Sequence, residues 1–364
     1  MQSKHKKRIC IVTRSLSEGG ADRVASLQSI FLHDLGYQIF IVSILDATAY
    51  PYRGTLLNLG ELKSKDNTLL GRFKRFLTFK KFIDDNKIDV VIDHRVRLKT
   101  WSEFLISKWI YKTKTIYIVH NIDTKKYFPK VKWIAKRIYK KPSKIVAVSK
   151  GIADKVNTEY GYTNITTILN AVDFNYIDSH KIEPIDVPNN YILWYGRFEN
   201  EQKNIPLLMR AYMQSTLPQK GIKLIVMGHG KDEKVLEHEI KVLNAESHII
   251  ILPFTANPFP YIHRSLFVAL SSRYEGFPMT LIESLATAKP VVTVQYENSE
   301  ELVIKDEFNG LVVNNHDETA LANALDRFIE DRNLYLSCAA NARKSVSHLS
   351  ADQIALKWHS LIEQ

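Results

Sequence analysis

Cysteine is almost missing from this chain. Cys10 and Cys338 are the only two, far apart and outside any metal-ligand spacing, which argues against both a disulfide framework and a zinc site and points to a reducing compartment. Long apolar runs are also missing. None approaches the roughly 20 residues that span a bilayer. The opening MQSKHKKRICIV has the basic flank of a secretory signal, but its apolar stretch breaks at Thr13 and Arg14, too early for a signal core. The expectation is a cytoplasmic protein, neither exported nor transmembrane. Acidic charge is scarce in one half only: residues 1–180 hold 32 Lys and Arg against 16 Asp and Glu, leaving 18 against 23 for the rest. A half at +16 joined to one at −5 implies that the first faces something anionic, such as a membrane surface, a phosphorylated lipid or nucleic acid.

What is present is the make-up of a globular protein. A hydrophobic fraction of 45% over 364 residues is enough for two cores rather than one. Short apolar runs alternate with helical stretches: strands at 8–14, 37–45, 88–93, 115–120 and 144–149, with helices at 21–35, 69–86 and 100–109 between them. That alternation predicts a parallel sheet covered on both faces. The polar, twice-proline stretch SHKIEPIDVPNN reads as a linker. After it the pattern restarts with YILWYG, IKLIVMG, HIIILPF, LFVALSS, PVVTV and GLVV. The expected domains are 1–178, a linker at 179–190, and 191–347, with a last helix, 348–364, able to cross back to the first domain.

The sharpest local feature is SSRYEGFPMTLIESLATAKPVV, residues 271–292. It sets Glu275 in a turn after a strand, Gly276 and Pro278 where the chain stops and restarts, and Glu283 one turn into the next helix. The amides of Met279, Thr280 and Leu281 at that helix start, with the helix dipole, suit a diphosphate. Glu283 then suits a ribose and Glu275 sugar hydroxyls. Either glutamate alone would be an ordinary cap or solvated side chain.

In this string the chain resembles the GT-B-fold glycosyltransferases of family 4, retaining enzymes marked by a Glu-x7-Glu motif in an EGFP context, and the resemblance runs nearly its whole length. It implies two Rossmann-like parallel-sheet α/β domains facing each other across a cleft, with a nucleotide sugar held mainly by the second. GRFENEQKN (196–204) resembles the family's glycine-arginine loop. Gly196 would line the donor there, and Arg197 and Lys203 would clamp the leaving diphosphate, whose growing charge fixed cations stabilise. SLSEGGADR resembles the N-terminal glycine loop, so Gly19 and Gly20 face the donor phosphates; it forms neither a dinucleotide fingerprint nor a P-loop. His120, ending TIYIVHN, matches a position beside the reacting sugar carbon. Gly228 and Gly230 of GHG match a turn near the nucleotide, and Pro253, Phe254, Thr255 and Phe277 complete the expected donor contacts. NAVD (170–173) matches a hinge loop, with Ala171 in place of the family's glycine.

One departure stands out: after PVVTV the loop reads QYENSEEL rather than glycine-rich, leaving open which of Glu300 and Glu301 lies at the donor. No two aspartates are separated by a single residue, so the metal-chelating device of the other main glycosyltransferase fold is absent. No metal and no cofactor are expected, and the resemblance implies a UDP-hexose or UDP-N-acetylhexosamine as the donor. RFKRFLTFKKF (72–82) and KVKWIAKRIYKK (130–141) interleave cations with apolar residues, which suits helices resting on anionic lipid. Together these imply a glycan or lipid-linked acceptor, as in lipopolysaccharide assembly, and an enzyme peripheral to the inner face of the plasma membrane. A nucleotide-sugar epimerase or phosphorylase on the same scaffold is the nearer rival. A nucleic-acid-binding protein is the further one, since no nucleic-acid fold signature accompanies the basic segments and no nucleic-acid partner is expected.

Overall fold

A computed structural model describes residues 6–17, 19–129, 131–139, 143–296 and 303–364. Two compact units emerge, one of residues 1–171 with 351–364 and one of 172–350.

The first unit runs β1 (Arg8–Thr13), α1 (Gly20–Asp34), β2 (Gln38–Ser43), β3 (Thr55–Asn58), α2 (Leu59–Lys65), α3 (Leu69–Asp85), β4 (Val90–Asp93), α4 (Thr100–Trp109), β5 (Lys114–Val119), α5 (Lys132–Ile138), β6 (Lys144–Ala147), α6 (Lys150–Tyr160) and β7 (Ile165–Thr167). Its described strands form a seven-stranded sheet in the order β3-β2-β1-β4-β5-β6-β7, parallel throughout. The central strands are apolar because both of their faces are covered: Ile9, Cys10, Ile11 and Val12 are fully buried. β3 and β7 escape the sequence pattern because they are edge strands, three or four residues long and only half-buried.

The second unit runs α7 (Phe174–His180), β8 (Tyr191–Arg197), α8 (Asn200–Lys203), α9 (Ile205–Gln214), β9 (Lys223–His229), α10 (Glu233–Val242), β10 (Ile249–Pro253), α11 (Phe259–Arg264), β11 (Val268–Leu270), α12 (Met279–Ala286), β12 (Val291–Val294), β13 (Gly310–Val313), α13 (Glu318–Glu330) and α14 (Arg332–Ser345). Its sheet, again parallel, is ordered β10-β9-β8-β11-β12-β13. Trp194, Phe198, Leu208, Tyr212 and Phe267 lie in its core. The polar stretch after α7 belongs to this unit. Arg264 Nη1 donates to Ile185 O at 2.7 Å and Asn257 Nδ2 to Glu183 Oε2 at 2.9 Å.

The chain ends in α15 (Ala351–Glu363), which packs on α1. Lys114 Nζ donates to Leu361 O at 2.6 Å, Lys7 Nζ to Ile362 O at 2.9 Å, and Tyr37 Oη to Glu363 Oε1 at 2.9 Å. The final helix is thus part of the first unit.

Candidate active site

In each sheet the strand order reverses beside the first strand of the unit, between β1 and β4 and between β8 and β11. Ligands of doubly wound sheets bind at the carboxyl ends of strands flanking such a reversal. Gly19 and Gly20 follow β1, Lys203 follows β8 and the Glu275–Glu283 segment follows β11, whereas His120 follows β5, Gly228 and Gly230 lie at the end of β9, and Pro253, Phe254 and Thr255 lie at the end of β10.

In the second unit, Gly196 and Gly228 are the last residues but one of β8 and β9, with φ of +151° and +155°. A Cβ on Gly228 would lie 1.9 Å from Gly196 O, and one on Gly230 2.4 Å from Phe198 O, so the backbones meet more closely than any side chain allows. Phe198 N donates to His229 O at 2.8 Å and Asn200 N to Asp232 Oδ2 at 2.7 Å, holding the loop into α8. Arg197 is partly exposed, with Glu199 the nearest carboxylate at 3.9 Å.

Lys203 ends α8 and turns toward the segment after β11. Its Nζ lies 2.5 Å from Glu275 Oε1. Gln202 Nε2 donates to Glu275 Oε2 and to Tyr274 O, both at 3.2 Å. The backbone is fastened to match: Arg273 N donates to Gln202 O at 2.8 Å, Arg273 Nη2 to Asn204 Oδ1 at 2.8 Å, and Ser271 Oγ to Asn204 O at 2.9 Å. Asn204 itself takes φ of +47° to turn α8 into α9. Glu275 is 6% exposed, and a carboxylate so enclosed needs a partner of this kind.

α12 begins at Met279 with Pro278 as its cap and no side-chain cap bond, so its first-turn amides have no intrahelical acceptor. Glu283, one turn in, is 3% exposed. Tyr195 Oη donates to Glu283 Oε2 at 3.2 Å and lies 3.0 Å from Thr280 O. Two hydroxyls, Ser272 Oγ in the segment after β11 and Thr280 Oγ1 in the first turn of α12, are enclosed and make no hydrogen bond among the described residues. Gly276 is half-buried and Phe277 buried in the preceding turn. Pro253 ends the edge strand β10 and Phe254 and Thr255 follow it, where Phe254 meets the His229 ring edge-on at 5.3 Å. Burial, with the Glu275 carboxylate adding to it, pushes the Tyr296 hydroxyl well above its ordinary value. Glu300 and Glu301 fall outside the described residues. Among those residues no group of His, Cys, Asp and Glu is arranged to hold a metal ion.

In the first unit, Gly19 caps α1 in extended backbone and Gly20 opens it. Asp22, 3% exposed, ties that helix to the loop after β1. It accepts from Ser15 Oγ at 2.8 Å, Thr13 Oγ1 at 3.1 Å and Ser15 N at 3.2 Å. His120 follows β5 and stacks against His94, which follows β4, with ring centroids 5.1 Å apart. His94 Nδ1 lies 3.1 Å from His120 Nε2, and His94 Nε2 lies 2.6 Å from Gln28 Oε1. Burial, with the Arg97 guanidinium adding repulsion, pushes His94 down to about 3. Burial, then His94 and Arg97, pushes His120 down as well. Both rings are therefore neutral at pH 7. With the Gln28 amide oxygen toward His94, that ring donates from Nε2 and accepts from His120 Nε2–H.

Beneath them lies a buried charge network. Arg95 Nη2 contacts Asp93 Oδ2 at 2.7 Å and Glu103 Oε2 at 2.9 Å. Arg97, 1% exposed, donates to Tyr139 Oη at 2.8 Å and lies over the Tyr117 and Tyr127 rings. Burial alone would raise the Asp93 carboxyl; Arg95 and Arg97 outweigh it and hold it below the usual range.

Sequence reasoning missed His94, Gln28, Gln202, Tyr195 and Arg273. Of these Gln202, next to Lys203, and Arg273, two residues before Glu275, carried a local signal. The others reach their partners across strands.

Comparison with known proteins finds relatives of both units. Residues 18–176 match the model of Glycosyltransferase Family 4, and residues 176–345 that of glycosyl transferases group 1. The chain is 26% identical, over 97% of its length and 99% of the relative's, to the N-acetylgalactosamine-N,N'-diacetylbacillosaminyl-diphospho-undecaprenol 4-alpha-N-acetylgalactosaminyltransferase of Campylobacter jejuni. Among solved structures, Anabaena HepE in complex with UDP-glucose superposes with a TM-score of 0.78 at 18% identity, covering 98% of this chain and 99% of that one. Staphylococcus aureus TarM superposes with a TM-score of 0.77 at 14% identity, over 98% and 100%.

Proposed function

Because the chain belongs to the family 4, group 1 glycosyltransferases and has their GT-B fold, we propose that it moves a hexose or N-acetylhexosamine from a UDP-sugar to a hydroxyl of a membrane-associated glycan or glycolipid, with retention and without a metal. The observation that carries this is the grouping after β11: the uncapped start of α12, the Lys203–Glu275 pair and buried Glu283.

In this reading the diphosphate sits at the α12 amides, where the helix dipole and unpaired N–H groups favour negative charge. The orphaned hydroxyls of Ser272 and Thr280 fit a polar ligand there. Glu283, steadied by Tyr195, takes the ribose hydroxyls. Glu275 takes the hydroxyls of the transferred sugar. Lys203 keeps two further N–H groups for phosphate after pairing with Glu275, and Arg197 adds a second cation. His120 contacts the transferred sugar.

The reaction breaks the bond between the anomeric carbon and the β-phosphate oxygen and forms one to the acceptor oxygen on the same face. The acceptor proton passes to the departing phosphate. Charge grows on that phosphate as the bond lengthens, and fixed cations and amides stabilise it without reorganisation. UDP and a membrane-borne acceptor are supported by the relatives. The Anabaena structure holds UDP-glucose, and the Campylobacter enzyme is named for transfer to a diphospho-undecaprenol glycan. No helix among the described residues is long and apolar enough to cross a membrane, so the protein would meet that acceptor from the surface.

Thermal-shift screening against UDP-, GDP- and ADP-sugars tests the reading, since a ligand of the folded state alone raises apparent stability. A UDP-sugar should raise the melting temperature, and Glu283→Ala should abolish the rise. No shift with any nucleotide sugar overturns the proposal.

A further inference from the structure

The two helical faces of the first sheet are finished differently. Strand order steps one way from β1 to β2 and the other way from β3 to β4, β5 and β6. Right-handed crossovers then put α1 on one face and α3, α4 and α5 on the other. The α1 face is covered by α15. The opposite face keeps large apolar side chains in the open: Leu98 is 67% exposed, Trp101 65%, Trp133 57% and Trp109 51%. α3 adds Leu69 at 80% and Phe73 at 58%.

These side chains are held rather than loose. Trp101 on α4 and Trp133 on α5 meet edge-on with centroids 6.3 Å apart, and Phe104 lies 6.4 Å from the first and 5.8 Å from the second. The cluster locks α4 to α5 while leaving both indoles more than half exposed. A soluble protein seldom leaves an apolar patch of this kind uncovered unless it binds something.

Charge identifies what it binds. Residues 94–153 contain 16 Lys and Arg, of which Arg95 and Arg97 are buried, but only two carboxylates, Glu103 and Asp123. Glu103 is buried against Arg95, and Asp123 lies 3.4 Å from Lys126. α4 and α5 therefore expose Lys108, Lys136 and Arg137 and no acid. Tryptophans ringed by cations match the interface of a bilayer carrying anionic headgroups: the indole straddles the boundary, the cations take the phosphates. A protein partner would call for exposed charges of both signs, and those exposed on α4 and α5 are all cations.

We infer that the α4–α5 face, extended by the N-terminal half of α3, is a docking surface for an anionic lipid bilayer, with Trp101 and Trp133 entering the headgroup region. It rests on the reading of the acceptor as membrane-borne and names the surface that would meet it. The sequence segment 72–82 is a lesser part of it, because Phe79 and Ile83 of α3 are turned into the core. Of the segment 130–141, Lys130, Lys140 and Lys141 lie outside the described residues.

The test uses the full chain and vesicles of phosphatidylglycerol and phosphatidylethanolamine, with phosphatidylcholine vesicles as the neutral control. Binding should appear on the anionic vesicles, weaken with salt, and quench tryptophan emission when the lipids are brominated. Trp101→Ser/Trp133→Ser should bind at least tenfold more weakly, and Lys108→Glu/Arg137→Glu should lose the preference for anionic lipid. Both variants alter exposed side chains, and each should keep the UDP-sugar thermal shift of the wild type. That shift reads the transferase assignment separately, so docking can fail while it survives. Failure of the wild type to bind, equal binding by the tryptophan variant, or a concentration-dependent dimer abolished by that variant would overturn the docking surface.

Discussion

Lys203 Nζ and Glu275 Oε1 stand 2.5 Å apart, so the cation assigned to the phosphate and the carboxylate assigned to the sugar hold each other. The pair joins the end of α8 to the turn before α12, making the position of each depend on the other.

Lys203→Ala removes the cation proposed for the donor phosphate and leaves Glu275 enclosed without its main partner. Turnover should fall about 10²–10³-fold, mostly in kcat. Glu275→Ala should cost a similar amount, and Lys203→Ala/Glu275→Ala far less than the product of the two, because they act as a unit. Initial rates with a labelled donor measure this. Strict additivity would separate the two roles.

Tyr195→Phe deletes the hydroxyl that bonds Glu283 Oε2 and meets Thr280 O. Donor affinity should drop by roughly 1 kcal/mol, about fivefold, with kcat little changed. Calorimetric titration with the nucleotide sugar reads it.

Gly228→Ala puts a Cβ 1.9 Å from Gly196 O at a φ of +155°. Strain and clash together should destabilise the second unit by about 2–4 kcal/mol, seen as a lower melting temperature. Gly161→Ala is the control: its φ is also positive, at +70°, but nothing lies within 4 Å, so its cost should be smaller.

Arg95→Met strands Asp93 and Glu103 in the interior of the first unit. Loss of one member of a buried ion network should cost roughly 3–5 kcal/mol, shown by an earlier urea midpoint for that unit.

His94 is pushed down to about 3 by burial and Arg97, so over the acid range the unfolded chain binds a proton that the folded one refuses. Stability should therefore fall as pH drops from the ordinary histidine value of about 6.5 toward 3, by at most about 1.4 kcal/mol per pH unit from this group. His120, also lowered, adds to the same limb. His94→Asn, whose amide oxygen can accept from His120 Nε2–H as Nδ1 does, should flatten that limb in denaturant titrations between pH 6.5 and 4. An unchanged slope would refute the assignment.

The parallel α/β architecture was legible because strands buried on both faces must be apolar throughout, as Ile9–Val12 and Leu224–Val226 are. The edge strands β3 and β7 were not, since a strand with one partner and half its surface wet has no such requirement. The turn from Glu275 to Glu283 was legible for a different reason. A strand end, a proline restart and a helix start are local events written in consecutive residues, and the family resemblance is strongest there.

What the sequence by itself determined was the alternation of elements, the charge imbalance between the halves and the identity of the residues at the strand ends. Only the tertiary structure decided which of those residues touch. His94 and Gln28 are 66 positions apart and Tyr195 and Glu283 are 88 apart. Their contacts come from strand order, a non-local property that no spacing along the chain records. The tryptophans of α4 and α5 show the same limit. Periodicity marks a helix as amphipathic, but whether its apolar side meets a sheet, a neighbouring helix or open solvent is settled by what else packs there, and here Trp101 and Trp133 stay more than half exposed.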